Sequence, residues 1–594
     1  MATLFRCAHI AVFLLLLHFL TVSFATQDGL LVSTRHGEVQ GKLLSVLGGN
    51  IRAFLGIPYG KPPLEKLRFR APEPVEAWEG VKDATKFPNS CYQMPDTFFP
   101  GFEGAEMWNP NTPLSEDCLY LNVWAPHFNK TLSHPSPLAP VLVWIYGGGF
   151  TSGTSSLDIY DGRFLSKYEG VVVVSMNYRV GAFGFLSLPD NKNVRGNAGL
   201  LDQRLALEWI AKNIAAFGGD PSKVTLFGES AGSGSVGFQL LSPGSQALFQ
   251  RAVMQSGSPN APWCTISQNE AWDRSLMLAT LLGCPDSGPA HVEACLQQAD
   301  PHKIATKQFD VLTEHIVLSI PFVPLVDGDF LPDKVEVLLD SRNLPRKEVV
   351  LGLNKDEGSY FLVYGLPGFD ITRQSLITRN EFLKGVEISM ANSNDVTREA
   401  AIFQYTDWTD DNNRMKNRDS LSSLVADQLF VCPVIDFAHR YSQHGGKAFL
   451  YLFDHRSSVN PWPEWMGVMH GYEIEFVFGM PLNASLGYTK NEVNMTKKFM
   501  KHWANFARTG NPGIDGANWP VFTREHQEYL TLNYNHSQQQ GRMFRANECR
   551  LWNKLMPKIQ NMSDVVQSCF NGSGITLRCD YMFLLILLVT TLIY

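Results

Sequence analysis

The chain lacks the features that divide a multi-module protein. No Pro/Ser-rich linker, no run of like charge and no internal repeat interrupts its 594 residues. One large domain with long insertions is expected, rather than a string of modules. A basic excess is also missing: the formal charge of −7 argues against nucleic-acid binding and suits a small cationic ligand. The C-terminal apolar tail, Tyr581–Tyr594, is only 14 residues long, whereas a membrane-spanning helix needs about 20. No metal ion and no cofactor is expected.

Both ends carry processing signals. Residues 1–25 contain Arg6, an apolar run including Val12–Leu17 and the small-residue site Ser23-Phe24-Ala25, the pattern of a cleaved export signal. At the other end Asn571-Gly572-Ser573-Gly574, a polar spacer through Asp580 and the short apolar tail form a GPI-anchor signal. Asn571 or Ser573 would carry the lipid, and residues 575–594 would be removed; a short true membrane anchor or a disordered end is the competing reading. Export agrees with the ten cysteines, nine of them outside the leader, because secreted chains favour paired cysteines. Asn129, Asn483, Asn494, Asn535, Asn561 and Asn571 stand in N-x-S/T sequons, permissive for glycosylation.

Strand-like runs such as Val171–Val174, Val349–Leu351 and Phe449–Phe453 alternate with helical stretches. This predicts an α/β protein with a large, mostly parallel central sheet. Within that pattern Phe227-Gly228-Glu229-Ser230-Ala231-Gly232 follows the β-like run Lys223–Phe227 and opens a helical stretch. A strand, a sharp turn carrying Ser and a helix form the nucleophile elbow of α/β-hydrolases. Upstream, the strand-like Val141–Tyr146 runs into Gly147-Gly148-Gly149-Phe150. Unshielded N–H groups of Gly148 and Gly149, with that of Ala231, would make an oxyanion hole; one such donor is typically worth about 3–4 kcal/mol of barrier. A glycine-rich turn without a ligand is the plain alternative for the triple glycine alone.

Longer stretches extend the pattern: Gly101–Pro110 (G-F-E-G-A-E-M-W-N-P), Ser115–Trp124 (S-E-D-C-L-Y-L-N-V-W), Asn177–Leu186, N-K-D-E-G from Asn354, Y-T-D-W from Tyr405 and W-P-E-W-M-G-V-M-H-G-Y-E-I-E-F-V-F-G from Trp462. On these the chain resembles the cholinesterases, within the type-B carboxylesterases, from about Gly29 to Pro557. The resemblance implies an α/β-hydrolase catalytic domain over residues 26–560, followed by a short segment, 561–574, bearing Cys569 and the lipid site. It implies Ser230 as nucleophile, Glu357 as acid and His470 as base, in the Ser…Glu…His order of the fold. Neither partner could be chosen from the residues alone, since the chain has 15 His and N-K-D-E-G is also an ordinary solvated turn. The resemblance further implies a choline site of Trp108, Tyr360, Glu229 and Tyr160. A quaternary ammonium over an aromatic face contributes about 0.5–2 kcal/mol. Asp96 and Tyr364 match residues at the gorge entrance.

The acyl pocket departs from typical acetylcholinesterases, which narrow it with two phenylalanines. Anchored on Phe322-Val323-Pro324, those positions are Leu318 and Ile320, with Trp263 and Phe361 completing the pocket. Two extra methylenes of a butyryl group contribute about 1.6 kcal/mol when buried without strain, against a cost of about 1–3 kcal/mol when forced against rigid rings. Propionyl- and butyrylcholine are therefore expected substrates beside acetylcholine. At the rim, Met94, Thr151 and Phe309 stand where typical acetylcholinesterases carry Tyr, Tyr and Trp, so weak binding of a second cation is expected. The resemblance also implies disulfides Cys91–Cys118, Cys284–Cys295 and Cys432–Cys549, an intermolecular bridge through Cys569 in a homodimer, and no partner for Cys264, read as a buried thiol. The resulting expectation is an extracellular, lipid-anchored choline-ester hydrolase; a general carboxylesterase and an adhesion protein with residual esterase activity are the alternatives.

Overall fold

Val141–Ile145 is apolar at every position, and such a run is stable only where both faces of a strand are covered. In the computed structural model, which describes residues 29–127, 137–285, 287–312, 317–514, 518–534 and 539–562, this segment lies inside an 11-stranded sheet. The expected leader, Asn129, Asn535, Cys569, Asn571, Ser573 and the apolar tail lie outside the described residues.

The strands are β1 (Lys42–Val46), β2 (Gly49–Pro58), β3 (Tyr120–Pro126), β4 (Ala139–Ile145), β5 (Val172–Met176), β6 (Gly219–Glu229), β7 (Arg251–Gln255), β8 (Glu348–Asn354), β9 (Lys447–Phe453), β10 (Glu528–Leu532) and β11 (Gln540–Arg542). Their spatial order is β11-β10-β9-β8-β7-β6-β4-β5-β3-β2-β1. From β10 to β5 every neighbouring pair is parallel, and only the flanks are antiparallel. The expected mostly parallel α/β sheet is thus present. Its parallel centre matters for chemistry, because parallel strands deliver all their C-terminal ends, and the loops that follow them, to one edge.

Five helices concern the site: α1 (Ala198–Asn213), α2 (Ala231–Leu241), α3 (Arg414–Ala426), α4 (Cys432–Gln443) and α5 (Lys490–Thr509). Helix α2 is buried along its whole length and packs on β6 and β7. Helix α5 begins with a capping box, in which the Thr489 side chain accepts from the Glu492 N–H and Glu492 accepts in return from the Thr489 N–H. It stops at Gly510, whose φ of 77° suits glycine. Helices α3 and α4 are joined by a π-helical turn, Asp427–Val431. The combined Arg414–Gln443 stretch is long and apolar enough to cross a membrane, yet 78% of its apolar window is buried within the domain, as in a core helix. All three expected disulfides are formed, and Cys264 is a buried free thiol.

Candidate active site

Ser230 stands between the last residue of β6 and the first of α2, with φ 57° and ψ −123°. A non-glycine residue held there is strained, and its neighbours show why the chain accepts the strain. A Cβ on Gly228 would come within 2.6 Å of the Gly232 carbonyl oxygen, and one on Gly232 within 2.0 Å of the Ile145 oxygen. The Ser230 N–H is tied to the Gln255 carbonyl at the end of β7, at 2.9 Å. The small residues of the elbow are therefore imposed by backbone packed on backbone.

The loop after β4 reaches the same point. A Cβ on Gly147 would lie 2.9 Å from the Ser230 Cβ and 2.7 Å from the Glu229 carbonyl. Gly148 and Gly149 have φ of 104° and 60°, and neither N–H donates a hydrogen bond among the described residues. Two free donors beside a nucleophile, with the N-terminus of α2 behind it, are what a developing oxyanion requires.

Glu357 follows β8 and His470 follows β9, so all three residues expected to form the triad stand beyond the C-terminal edge of the sheet. His470 Nδ1 lies 2.6 Å from Glu357 Oε2, both residues buried. The two loops are fastened together: Asp356 N–H donates to the Val468 carbonyl, Val468 N–H to the Asp356 carboxylate, and Ser359 Oγ to the Met466 carbonyl. His470 Nε2 makes no hydrogen bond to Ser230 Oγ. It lies instead 3.1 Å from Glu229 Oε1, out of hydrogen-bond alignment. Such contacts tighten in substrate complexes.

A further set of hydrogen-bonded groups lies behind Glu357 and His470. The Glu473 carboxylate accepts from Gln255 Nε2 at 2.9 Å and from Asn354 Nδ2 at 2.7 Å. Asn354 N–H also donates to Glu357 Oε1 at 2.7 Å, and its side chain to the Met469 carbonyl. Trp503 Nε1 closes the chain on Gln255. Burial alone lowers the His470 pKa, but the charge of Glu229 and the hydrogen bond and charge of Glu357 outweigh it and raise the group to about 9. Burial pushes Glu229 up to about 8, with His470 opposing. A proton within this set is held more tightly than on an isolated imidazole or carboxyl, and it belongs to the pair.

The expected choline residues converge on the same place. A Cβ on Gly471, whose φ is 83°, would stand 3.3 Å from the Trp108 ring and 3.6 Å from Glu229 Oε1, so glycine after His470 leaves room for both. Tyr472 packs edge-on against Trp108. Tyr160 is buried against Trp144 and Phe478, within the field of Glu229. Tyr360 OH lies 3.0 Å from Tyr364 OH, which donates to Asp96 Oδ2 at 2.8 Å, linking the choline site to the rim. Of the other rim positions, Thr151 bonds the Gly148 carbonyl, Met94 contacts Thr306, and Phe309 is exposed without a ring partner among the described residues. Phe98 and Phe99, not singled out in the sequence, pack on Tyr364 with ring centres 5.2 Å away.

In the acyl region, Ile320 Cδ1 lies 3.3 Å from where a Cβ on Gly149 would be, directly against the oxyanion loop. Leu318 is partly buried on the core at φ 59°. The main surprise is Phe430, on the π-helical turn. Its ring stacks on Phe361 at 5.1 Å and lies 4.5 Å from His470 and 5.7 Å from Trp263, so an aromatic wall stands beside His470. In sequence it reads as one apolar residue in a buried helix; the widened turn aims it at the site, as π-bulges often do.

A family model for the carboxylesterase family matches residues 28–552. An acetylcholinesterase from Bungarus fasciatus is 51% identical over 541 residues, which cover 90% of this chain and 88% of that one. The family match takes in the whole central sheet, the Ser230 elbow and the loops that bring Glu357 to His470, and the chain belongs to the carboxylesterase family, serine-dependent ester hydrolases of the α/β-hydrolase fold.

Proposed function

We propose that the protein hydrolyses choline esters through an acyl-enzyme on Ser230, taking acetyl, propionyl and butyryl groups. The observation that carries this reading is Glu229: a buried carboxylate oxygen without a hydrogen-bond partner, within 4 Å of the point beside Gly471 that the Trp108 ring also faces. A quaternary ammonium cannot donate a hydrogen bond, and it suits an aromatic face with a nearby unpartnered carboxylate. Similarity to an acetylcholinesterase over nine-tenths of the chain supports the same substrate class.

In this reading Ser230 Oγ attacks the ester carbonyl and His470 Nε2 takes its proton. Gly148, Gly149 and Ala231 N–H groups hold the oxyanion. The imidazolium protonates the departing choline oxygen; the neutral ring then takes a proton from a water whose oxygen attacks the acyl carbon, and returns it to Ser230 Oγ as the acyl–serine bond breaks and the acid leaves. Glu357 fixes the imidazole tautomer and stabilises the cation. Leu318 and Ile320, with Ile320 beside Gly149, leave space for a longer acyl chain than two rings at those positions would. Hydrolysis of acetylthiocholine, butyrylthiocholine and a neutral isosteric ester, with Ser230→Ala as control, tests this. Comparable kcat/KM for the two thiocholines and a much lower value for the neutral ester are expected. A hundredfold loss with the butyryl ester overturns the acyl reading, and equal turnover of the neutral ester favours a general carboxylesterase.

The protein is read as exported, lipid-anchored at Asn571 or Ser573, glycosylated at sequons including the exposed Asn494 and Asn561, and dimerised through Cys569. Dimerisation is supported by exposed Phe403 and Val396 on helix Asp395–Gln404 and by Leu555 and Met562 near the C-terminus. Gln560 bonds Asn394, which brings these segments together. Non-reducing electrophoresis of the wild type and Cys569→Ser checks the bridge, and phospholipase release from cells checks the anchor.

A further inference from the structure

The triad lies beyond the C-terminal ends of β6, β8 and β9; the opposite edge of the sheet carries a different concentration of charge. There α4 ends against the start of β9, and Tyr441 OH receives the Lys347 N–H at the start of β8. A depression of about 410 Å3 opens at this edge, lined by His439, Arg440, His444, Arg524, Arg550 and Lys554, with Asp340 the one acidic side chain in its wall.

Part of this charge has an ordinary explanation. Arg440 sits in the last turn of α4, where the helix dipole favours a cation, and it is paired with Asp436 and Asp340. His444 and Lys554 lie at 3.8 Å and 4.0 Å from the same two carboxylates. Arg524 and Arg550 have no such account. They come from two other segments, are exposed, and their side chains make no hydrogen bond or ion pair among the described residues. His439 stands half-buried in the same wall. Burial first, then the charges of Arg524 and Lys554, hold its imidazole below the ordinary value, with Asp436 opposing and Arg440 adding. The charges of Arg524 and Arg550 are therefore left without a paired acid among the described residues, on a chain whose net charge is −7.

We propose that this depression is an oxyanion-binding site, in which Arg524, Arg550 and Lys554 grip a sulfate or phosphate ester group above His439. Guanidinium forks match such groups with paired, charge-assisted hydrogen bonds. The volume exceeds that of a bare tetrahedral anion and suits one borne on a sugar-sized body. The frame is also prepared: the Cys432–Cys549 disulfide ties α4 to the C-terminal helix immediately before Arg550, and Asn553 Nδ2 bonds the Cys432 carbonyl at 2.9 Å. Little ordering is then required on binding.

Isothermal titration of the purified protein at pH 7 and low salt tests the assignment, with a trisulfated disaccharide in one arm and inorganic pyrophosphate in the other. Saturable binding of at least one probe is expected. Arg524→Ser with Arg550→Ser should weaken it about tenfold or more, and ester hydrolysis by that variant should be unchanged, which shows that it is folded. Lys66→Ser with Lys384→Ser, an equal charge change elsewhere on the surface, should bind as the wild type does. The arm that binds more tightly tells a sulfated from a phosphorylated ligand. Absence of saturable binding in both arms, undiminished binding by the arginine variant, or equal weakening by the lysine variant overturns the proposal.

Discussion

His470 is held between two carboxylates, with Nδ1 2.6 Å from Glu357 and Nε2 3.1 Å from Glu229. Only Glu357 is hydrogen-bonded to the ring. The second carboxylate therefore acts on the base through charge.

That charge raises the His470 pKa, and the base works only when neutral. Glu229→Gln should therefore move the acid limb of the kcat/KM profile to lower pH, with a rise in KM for choline esters as a cationic subsite is lost. An unshifted limb would show that Glu229 is already protonated in the free enzyme.

Acyl length should respond to the two walls of the pocket in opposite senses. Ile320→Phe pushes a ring toward Gly149, and a strain of about 1–3 kcal/mol corresponds to a fivefold to hundredfold selective loss of butyryl turnover. Phe430→Val removes the ring stacked on Phe361 and should raise the butyryl-to-acetyl ratio. The ratio of kcat/KM values for the two thiocholines measures both.

Cys264 should be silent in the native protein. Burial pushes its thiol pKa well up, and its Sγ lies 3.2 Å from the Ser258 carbonyl. A thiolate-directed reagent should find no target there until denaturant is added; rapid native labelling, mapped by peptide mass, would refute this.

A buried histidine makes stability depend on pH. Desolvation lowers the His502 pKa to about 4, against the carbonyl of Pro512, whereas the unfolded chain titrates near 6.5. Between those values the unfolded state binds more protons, so stability falls as pH drops from about 6.5 to 4, by roughly 3 kcal/mol. His502→Asn should lose less stability than the wild type between pH 7 and pH 4.5 in urea unfolding.

The elbow was legible in the sequence because its constraint is local: Gly228, Ser230 and Gly232 are fixed by one turn packed on Ile145. The mostly parallel character of the sheet around it followed from apolar runs separated by helical stretches, whereas the strand order did not. Glu357 and His470 are 113 residues apart, and only the resemblance could join them. Phe430 and Glu473 were not legible as site residues. One is an apolar residue in a buried helix, the other an acid in a longer motif; their roles arise from a widened helical turn and from the register that sets Gln255 beside β8.

The triad is anchored at strand ends, whereas Asp96, Leu318 and Phe430 belong to insertions and a helix outside those strands. Part of the selectivity wall is thus encoded apart from the reactive strand ends, although Glu229 and Phe361 remain beside them. Exchange of wall residues such as Leu318 and Phe430 can therefore shift acyl preference across descendants while the bond-breaking apparatus stays intact.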